Sequence, residues 1–79
     1  MSRKEVDERH KVILGKIGEQ LSRMRQSEGV TIQDLASEIK ISRNGLAKME
    51  AGEIYFTLST LLHILDHYGE DHLHFFKNL

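Results

Sequence analysis

The sequence contains no cysteine and no proline, and only five of its 79 residues are aromatic. Without thiols there is neither a disulfide staple nor a thiolate metal site. Without proline, a repeat or a low-complexity run, no linker divides the chain. No apolar stretch approaches the roughly 18 residues that a membrane-spanning helix needs. The start, MSRKEVDERH, is charged where a secretion signal is apolar. These absences lead us to expect one small domain over residues 1–79, in the cytoplasm and away from membranes. A core of that size is thin, so a partner subunit would add stability. No serine–histidine–acid spacing and no phosphate-cradling glycine loop is present. The carboxylate pairs Asp7–Glu8 and Glu70–Asp71 lie in charged segments. Hence no enzyme, cofactor, metal or small-molecule ligand is expected.

Net charge is only −1, but it is unevenly spread. Residues 1–48 hold ten Lys/Arg against seven acids; residues 49–79 hold one lysine against five acids. A basic half beside an acidic half gives an oriented electrostatic footprint.

What the chain does have is helical periodicity. A first helix is expected over Lys4–Ser27, with Val6, Ile13, Ile17, Leu21 and Met24 on one stripe. Gly29 stops it, and the charged residues 1–8 are expected to fray. Thr31 caps a second helix, with Asp34 three residues on and Leu35, Ala36 and Ile39 facing inward. Ser42 caps a third, with Leu46 and Met49 inside and Gly52 as its stop. Thr57 caps a fourth, with Leu58, Leu61, Leu62, Ile64 and Leu65 inside and Gly69 at its end. A short fifth starts at Asp71. The one strand-like run, Glu53–Leu58, is too short and isolated for a sheet. The fold class is therefore all-α, a compact five-helix bundle.

Residues 31–51 form the most informative part. Ala36 is the small residue that lets a following helix cross the second one closely. Leu35, Ile39, Ile41, Leu46 and Met49 close the underside. This is helix-turn-helix spacing, a device that sets one helix in the major groove of DNA. The outer face of the third helix offers Ser42, Arg43, Asn44, Ala47 and Lys48 to base edges. Arginine pairs with guanine, asparagine with adenine, and an alanine methyl meets a thymine methyl. Gly45 lets the backbone approach. Phosphates are expected at Thr31, Gln33, Lys40, Tyr55 and Thr57, which lie at or near helix N-termini and turns. Arg23 is a weaker candidate. Arg25 is expected instead to pair with Glu50 and lock the bundle.

Four histidines crowd the last third: His63, His67, His72 and His74. His63 and His67 share a face at a spacing that also occurs in zinc sites, but exposed or interface positions are the expectation. There they would make dimerisation sensitive to pH. In residues 70–79, Leu73, Phe75, Phe76 and Leu79 are more apolar than a lone domain leaves wet. Two arrangements are open: Phe75 and Phe76 close the base of the core, or the four residues form a two-fold interface.

The stretches RQSEGVTIQDLA (Arg25–Ala36), ISRNGLAKMEAG (Ile41–Gly52) and TLSTLLHILDHYG (Thr57–Gly69) resemble the Cro/C1-type helix-turn-helix family, also called the XRE family. The resemblance covers roughly residues 13–76. It implies a five-helix, lambda-repressor-like domain that acts as a homodimer on DNA and represses or activates transcription. Three positions depart from the family pattern. Ile32 stands where glutamine is common, Lys40 where glycine is common, and the loop before the fourth helix carries Glu53 and Phe56 instead of basic residues and proline.

The expected function is a sequence-specific transcriptional regulator, a homodimer reading a palindrome, of the phage-repressor or restriction–modification-controller type. Autoregulation is compatible with that type. The expected partners are double-stranded DNA and a second copy of the chain. Two other functions fit the same residues. One is an antitoxin whose C-terminal aromatics hold a toxin. The other is a protein-interaction module that kept the fold without binding DNA.

Overall fold

Each helix has its own start and stop written into the chain. In the computed structural model, which describes residues 5–79, α1 spans Lys11–Ser27, α2 Ile32–Ile39, α3 Arg43–Ala51, α4 Leu58–Tyr68 and α5 His72–Lys77. A single 3-10 turn, Glu8–His10, precedes α1. No strand occurs among the described residues. The three side-chain caps expected for α2 to α4 are all present, and Asp71, the expected start of α5, caps that helix as well. Thr31 Oγ1 accepts the Asp34 amide at 3.0 Å, and Ser42 Oγ that of Gly45 at 2.9 Å. Thr57 Oγ1 accepts the Thr60 amide at 3.2 Å, and Asp71 Oδ1 that of His74 at 2.8 Å. Each cap satisfies an amide that has no partner inside its helix.

The first helix is shorter than its periodicity suggests. The Asp7 carboxylate accepts the Arg9 amide at 2.8 Å and so starts a 3-10 turn, and α1 proper begins only at Lys11. Lys4 lies outside the described residues, as does half of the segment expected to fray. Asp7 is tied down, because its amide donates to the Tyr55 hydroxyl at 3.0 Å. The inner stripe is also rotated: Leu14, Ile17, Gly18 and Leu21 are buried, whereas Ile13 is exposed and Val6 only half-buried. The cause is Gly18. A methyl group there would collide with the carbonyl oxygens of Met49 and Glu50, so the side of α1 that carries Gly18 and Leu14 lies against α3.

Ile17, Leu21, Leu35, Ala36, Ile39, Leu46, Met49, Leu61, Ile64, Leu65 and Phe75 form one core. Ala36, nearly inaccessible, lets α3 seat across α2. Leu58, expected inside, is exposed because it occupies the first turn of α4, ahead of Leu61, the first α4 residue in the core. The C-terminal alternative divides by residue. Phe75 is 2 % exposed and belongs to the chain's own core, so as an interface residue it is corrected to a core residue. Leu73, on the opposite side of this short helix, is 71 % exposed, Phe76 is exposed, and Leu79 packs against the core edge.

Beneath the helix pair, Arg25 and Glu50 form the expected lock. Arg25 Nε donates to Glu50 Oε2 at 2.9 Å and Nη2 to Oε1 at 3.1 Å, while Nη1 reaches the Val30 carbonyl at 2.7 Å. Their side chains are 13 % and 7 % exposed. The bidentate carboxylate holds the guanidinium's proton more tightly than usual, and burial opposes this only in part.

Candidate nucleic-acid interface

The turn before α3 has an unusual residue at its centre. Lys40 adopts the left-handed conformation, φ 62°, and is the only non-glycine residue among those described to do so. Its amide and that of Ile41 both fold back onto the Ala36 carbonyl. This closes α2 with the single left-handed residue that glycine usually supplies, and for a lysine the cost is about 1–2 kcal/mol. The chain then leaves the turn extended at Ser42 and enters α3.

Because Leu46 and Met49 point into the core, the opposite side of α3 faces solvent. Ser42, Arg43, Asn44 and Lys48 are exposed, and Gly45 and Ala47 are half-buried. Arg43 and Ala47 lie one helical turn apart, as do Asn44 and Lys48, so they make two parallel rows on that side. Among the described residues, neither Arg43 nor Lys48 forms a salt bridge; Arg9, Lys11, Arg23 and Arg25 do. The Ser42 hydroxyl accepts the cap bond and keeps its own proton available to a ligand.

Thr31, Gln33, Lys40 and Thr57 are exposed as well. The Thr57 hydroxyl is also bonded within a small cluster, 3.2 Å from Ser59 Oγ and 2.9 Å from Thr60 Oγ1. Tyr55, expected at a phosphate, also has partners within the chain. Its hydroxyl accepts the Asp7 amide and lies 2.7 Å from His10 Nδ1, with the two rings edge to face at 5.7 Å. The phenol can accept from Asp7 and still share a bond with His10, in which either group can be the donor. Tyr55 thus fastens the N-terminal segment to the loop after α3. The partners are 48 and 45 residues apart in sequence, and no local pattern announces them.

The histidines separate too. His63 Nε2 meets the Ile39 carbonyl at 2.9 Å, His67 stacks edge-on against Tyr68, and His72 bonds Asp66 at 2.8 Å. Among the described residues there is no group of three His, Asp or Glu side chains placed to hold a metal ion, and no helix long and apolar enough to cross a membrane.

A capped helix with free donors on its outer face, seated across a shorter helix through a tight turn, defines a helix-turn-helix domain. The chain belongs to the helix-turn-helix domain family, whose model matches residues 16–73. Among solved structures it resembles the restriction–modification controller protein C.Esp1396I at 23% sequence identity. The tetramer in complex with its natural 35 base-pair operator aligns with a TM-score of 0.72 over 82% of this chain and 86% of that one. The wild-type controller protein aligns at 0.73 over 82% and 84%, and a tyrosine-to-phenylalanine mutant of it at 0.73 over 82% of each chain. At this identity the likeness bears on the fold. No curated protein sequence matches the chain.

Proposed function

We propose that the chain binds double-stranded DNA in a sequence-specific manner through the N-terminal half of α3 and regulates transcription as a homodimer on a palindromic operator. The carrying observation is the exposed face of α3, with Arg43 and Asn44 at its serine-capped end and Lys48 in its last turn, both cations unpaired among the described residues. Arg43 and Asn44 read base edges; Ala47 and Ser42 complete the contact. Thr31, Gln33, Lys40 and Thr57 hold phosphates on either side of the groove. Tyr55 serves this surface as a brace for the loop. The family membership supports the reading, as does the fold shared with C.Esp1396I, a controller protein whose structure was solved on its operator. Such a regulator acts in the cytoplasm, as one domain, and needs no catalytic group.

Leu73 and Phe76 supply the two-fold contact, with Leu79 at its edge. A closed dimer sets the two reading helices about 34 Å apart, one turn of DNA. In vitro selection from a random duplex library tests the whole reading. It should return inverted half-sites with that spacing; recovery of unrelated sequences would overturn specificity. Removing residues from Leu73 onward would strip Phe75 from the core, so Leu73→Asp is the cleaner probe. It should give a folded monomer with weaker operator binding.

A further inference from the structure

We propose that His63 is a positioning residue for the DNA-reading helix, and that its protonation strengthens DNA binding. The proposal rests on the DNA-binding reading above and adds a control to it.

The last carbonyls of a helix lack partners within it. At the end of α2 the amides of Lys40 and Ile41 both go to Ala36, and the Ile39 carbonyl is met by a side chain from α4, His63 Nε2 at 2.9 Å. A carbonyl can only accept, so Nε2 carries the proton in the neutral ring, and Nδ1 is left to take a second one. The bond therefore survives protonation. The added charge also lies at the C-terminal end of α2, where the helix dipole favours a cation. The pinned carbonyl immediately precedes Lys40, whose left-handed backbone carries the strain of the turn, and lies three residues before Ser42, which starts α3. A fixed Ile39 carbonyl thus fixes where the reading helix begins.

The groove around this bond is lined by Ile39, Lys40, Ile41, Ser59, Thr60 and His63. Lys40 is its only other charged or titratable residue. On α4, the neighbouring Asp66 is engaged by His72, and His67 lies against Tyr68. Glu38, on α2, does not line the groove. A proton on His63 accordingly adds a second positive charge beside Lys40, next to the turn that leads into the base-reading end, and no carboxylate in that groove cancels it. DNA affinity should rise when His63 carries that proton.

The test compares the full chain with His63→Gln, whose amide can donate to the same carbonyl without titrating, and with His63→Leu, which cannot donate. The probe is the duplex recovered by selection, at fixed ionic strength, at about pH 6 and about pH 8, two values between which histidine side chains in general can change charge. The wild-type chain should bind about threefold more tightly at the lower pH than His63→Gln does, as expected for one added charge at a distance of several ångströms in water. The two should match at the higher pH. His10, His67, His72 and His74 are common to both proteins and cancel. His63→Leu should bind several-fold more weakly at both values while its circular dichroism stays helical. Parallel pH profiles for wild type and His63→Gln, or wild-type affinity for His63→Leu, would overturn the proposal. A readout without DNA separates this failure from that of the DNA-binding reading. Nitrogen-15 imidazole shifts should report the Nε2–H tautomer for His63 in the free protein. The other tautomer sinks the pin, whereas the expected tautomer with no duplex bound at any pH sinks the DNA-binding reading and the pH effect with it.

Discussion

At its C-terminal end, α3 is clamped. The backbone of Met49 and Glu50 lies against Gly18 of α1, and Glu50 holds Arg25 in a bidentate pair. Gly52 turns left-handed where an added Cβ would stand 2.8 Å from the Gly15 Cα. Two turns earlier the same helix touches little. Ser42, Arg43 and Asn44 are exposed, and the turn that feeds them holds a left-handed lysine next to the Ile39 carbonyl that His63 meets. Nine residues thus divide into an end that fixes direction and an end that keeps its donors free. The exposed donors ride on a helix whose axis is already set, so a ligand of that face would meet less backbone ordering.

The clamp should show the largest stability effects. Glu50→Ala leaves the Arg25 guanidinium mostly buried without its carboxylate, at an expected loss of about 3 kcal/mol in urea unfolding. Replacing both partners, Arg25→Met with Glu50→Leu, should recover most of that loss, because no buried charge is then orphaned. A loss below about 1 kcal/mol for Glu50→Ala would put the pair in the class of exposed ion pairs and remove the contrast between the two ends. Gly18→Ala comes next. Its methyl meets carbonyl oxygens of the facing backbone, which cannot rotate away as a side chain can, so α1 and α3 must separate. About 2 kcal/mol is expected from overpacking, although alanine is the better helix former.

Tyr68 sharpens the picture of the clamped side with a smaller effect. Its hydroxyl is buried and has no hydrogen-bond partner among the described residues. Burial first, then the charge of Glu50, raises its ionisation above the ordinary phenol value of 10.0. The folded state thus holds this proton more tightly than the unfolded chain. Its contribution to stability is complete below pH 10 and is lost as pH rises through the folded-state value. Tyr68→Phe should stabilise the protein by about 1 kcal/mol by removing an unsatisfied hydroxyl. It should also shrink the decline above about pH 10. Thermal melts across that range check both outcomes; a destabilised phenylalanine variant would mean that the hydroxyl has a partner in solution.

How legible each end is in the sequence follows from the range of its interactions. Caps, stops and the small Ala36 are local signals, so α2 to α5 and the exposed row of α3 can be read residue by residue. Arg25 with Glu50 can be read too, as one cation and one acid at the ends of two helices. Gly18 carries no such signal. A glycine in a helix explains itself only through the facing backbone, and without that neighbour periodicity draws the stripe on α1 through Ile13 instead of Leu14. Leu58 and Phe75 exchange expectation with placement for a related reason: periodicity gives a direction but not how far the core extends along the helix. Tyr55 reads as a phosphate contact because its partners in residues 7–10 are distant in sequence.

The smallest stability effect is expected at the exposed end of α3, and it probes the division most directly. Arg43 is the first residue of α3, exposed and unpaired among the described residues. Its side chain makes no contact that folding depends on, so Arg43→Ala should shift unfolding by less than about 0.5 kcal/mol. On the selected duplex the same change should cost about tenfold in affinity, within the range for loss of one bidentate base contact, and should relax preference at one base pair of each half-site. Lys48→Ala, by contrast, should weaken all duplexes alike and lower the salt dependence by about one ion if its ammonium meets a phosphate. If Arg43→Ala unfolded the protein, or bound every duplex as the parent does, the free end of α3 would be scaffold like its other end, and base reading would have to move to another face.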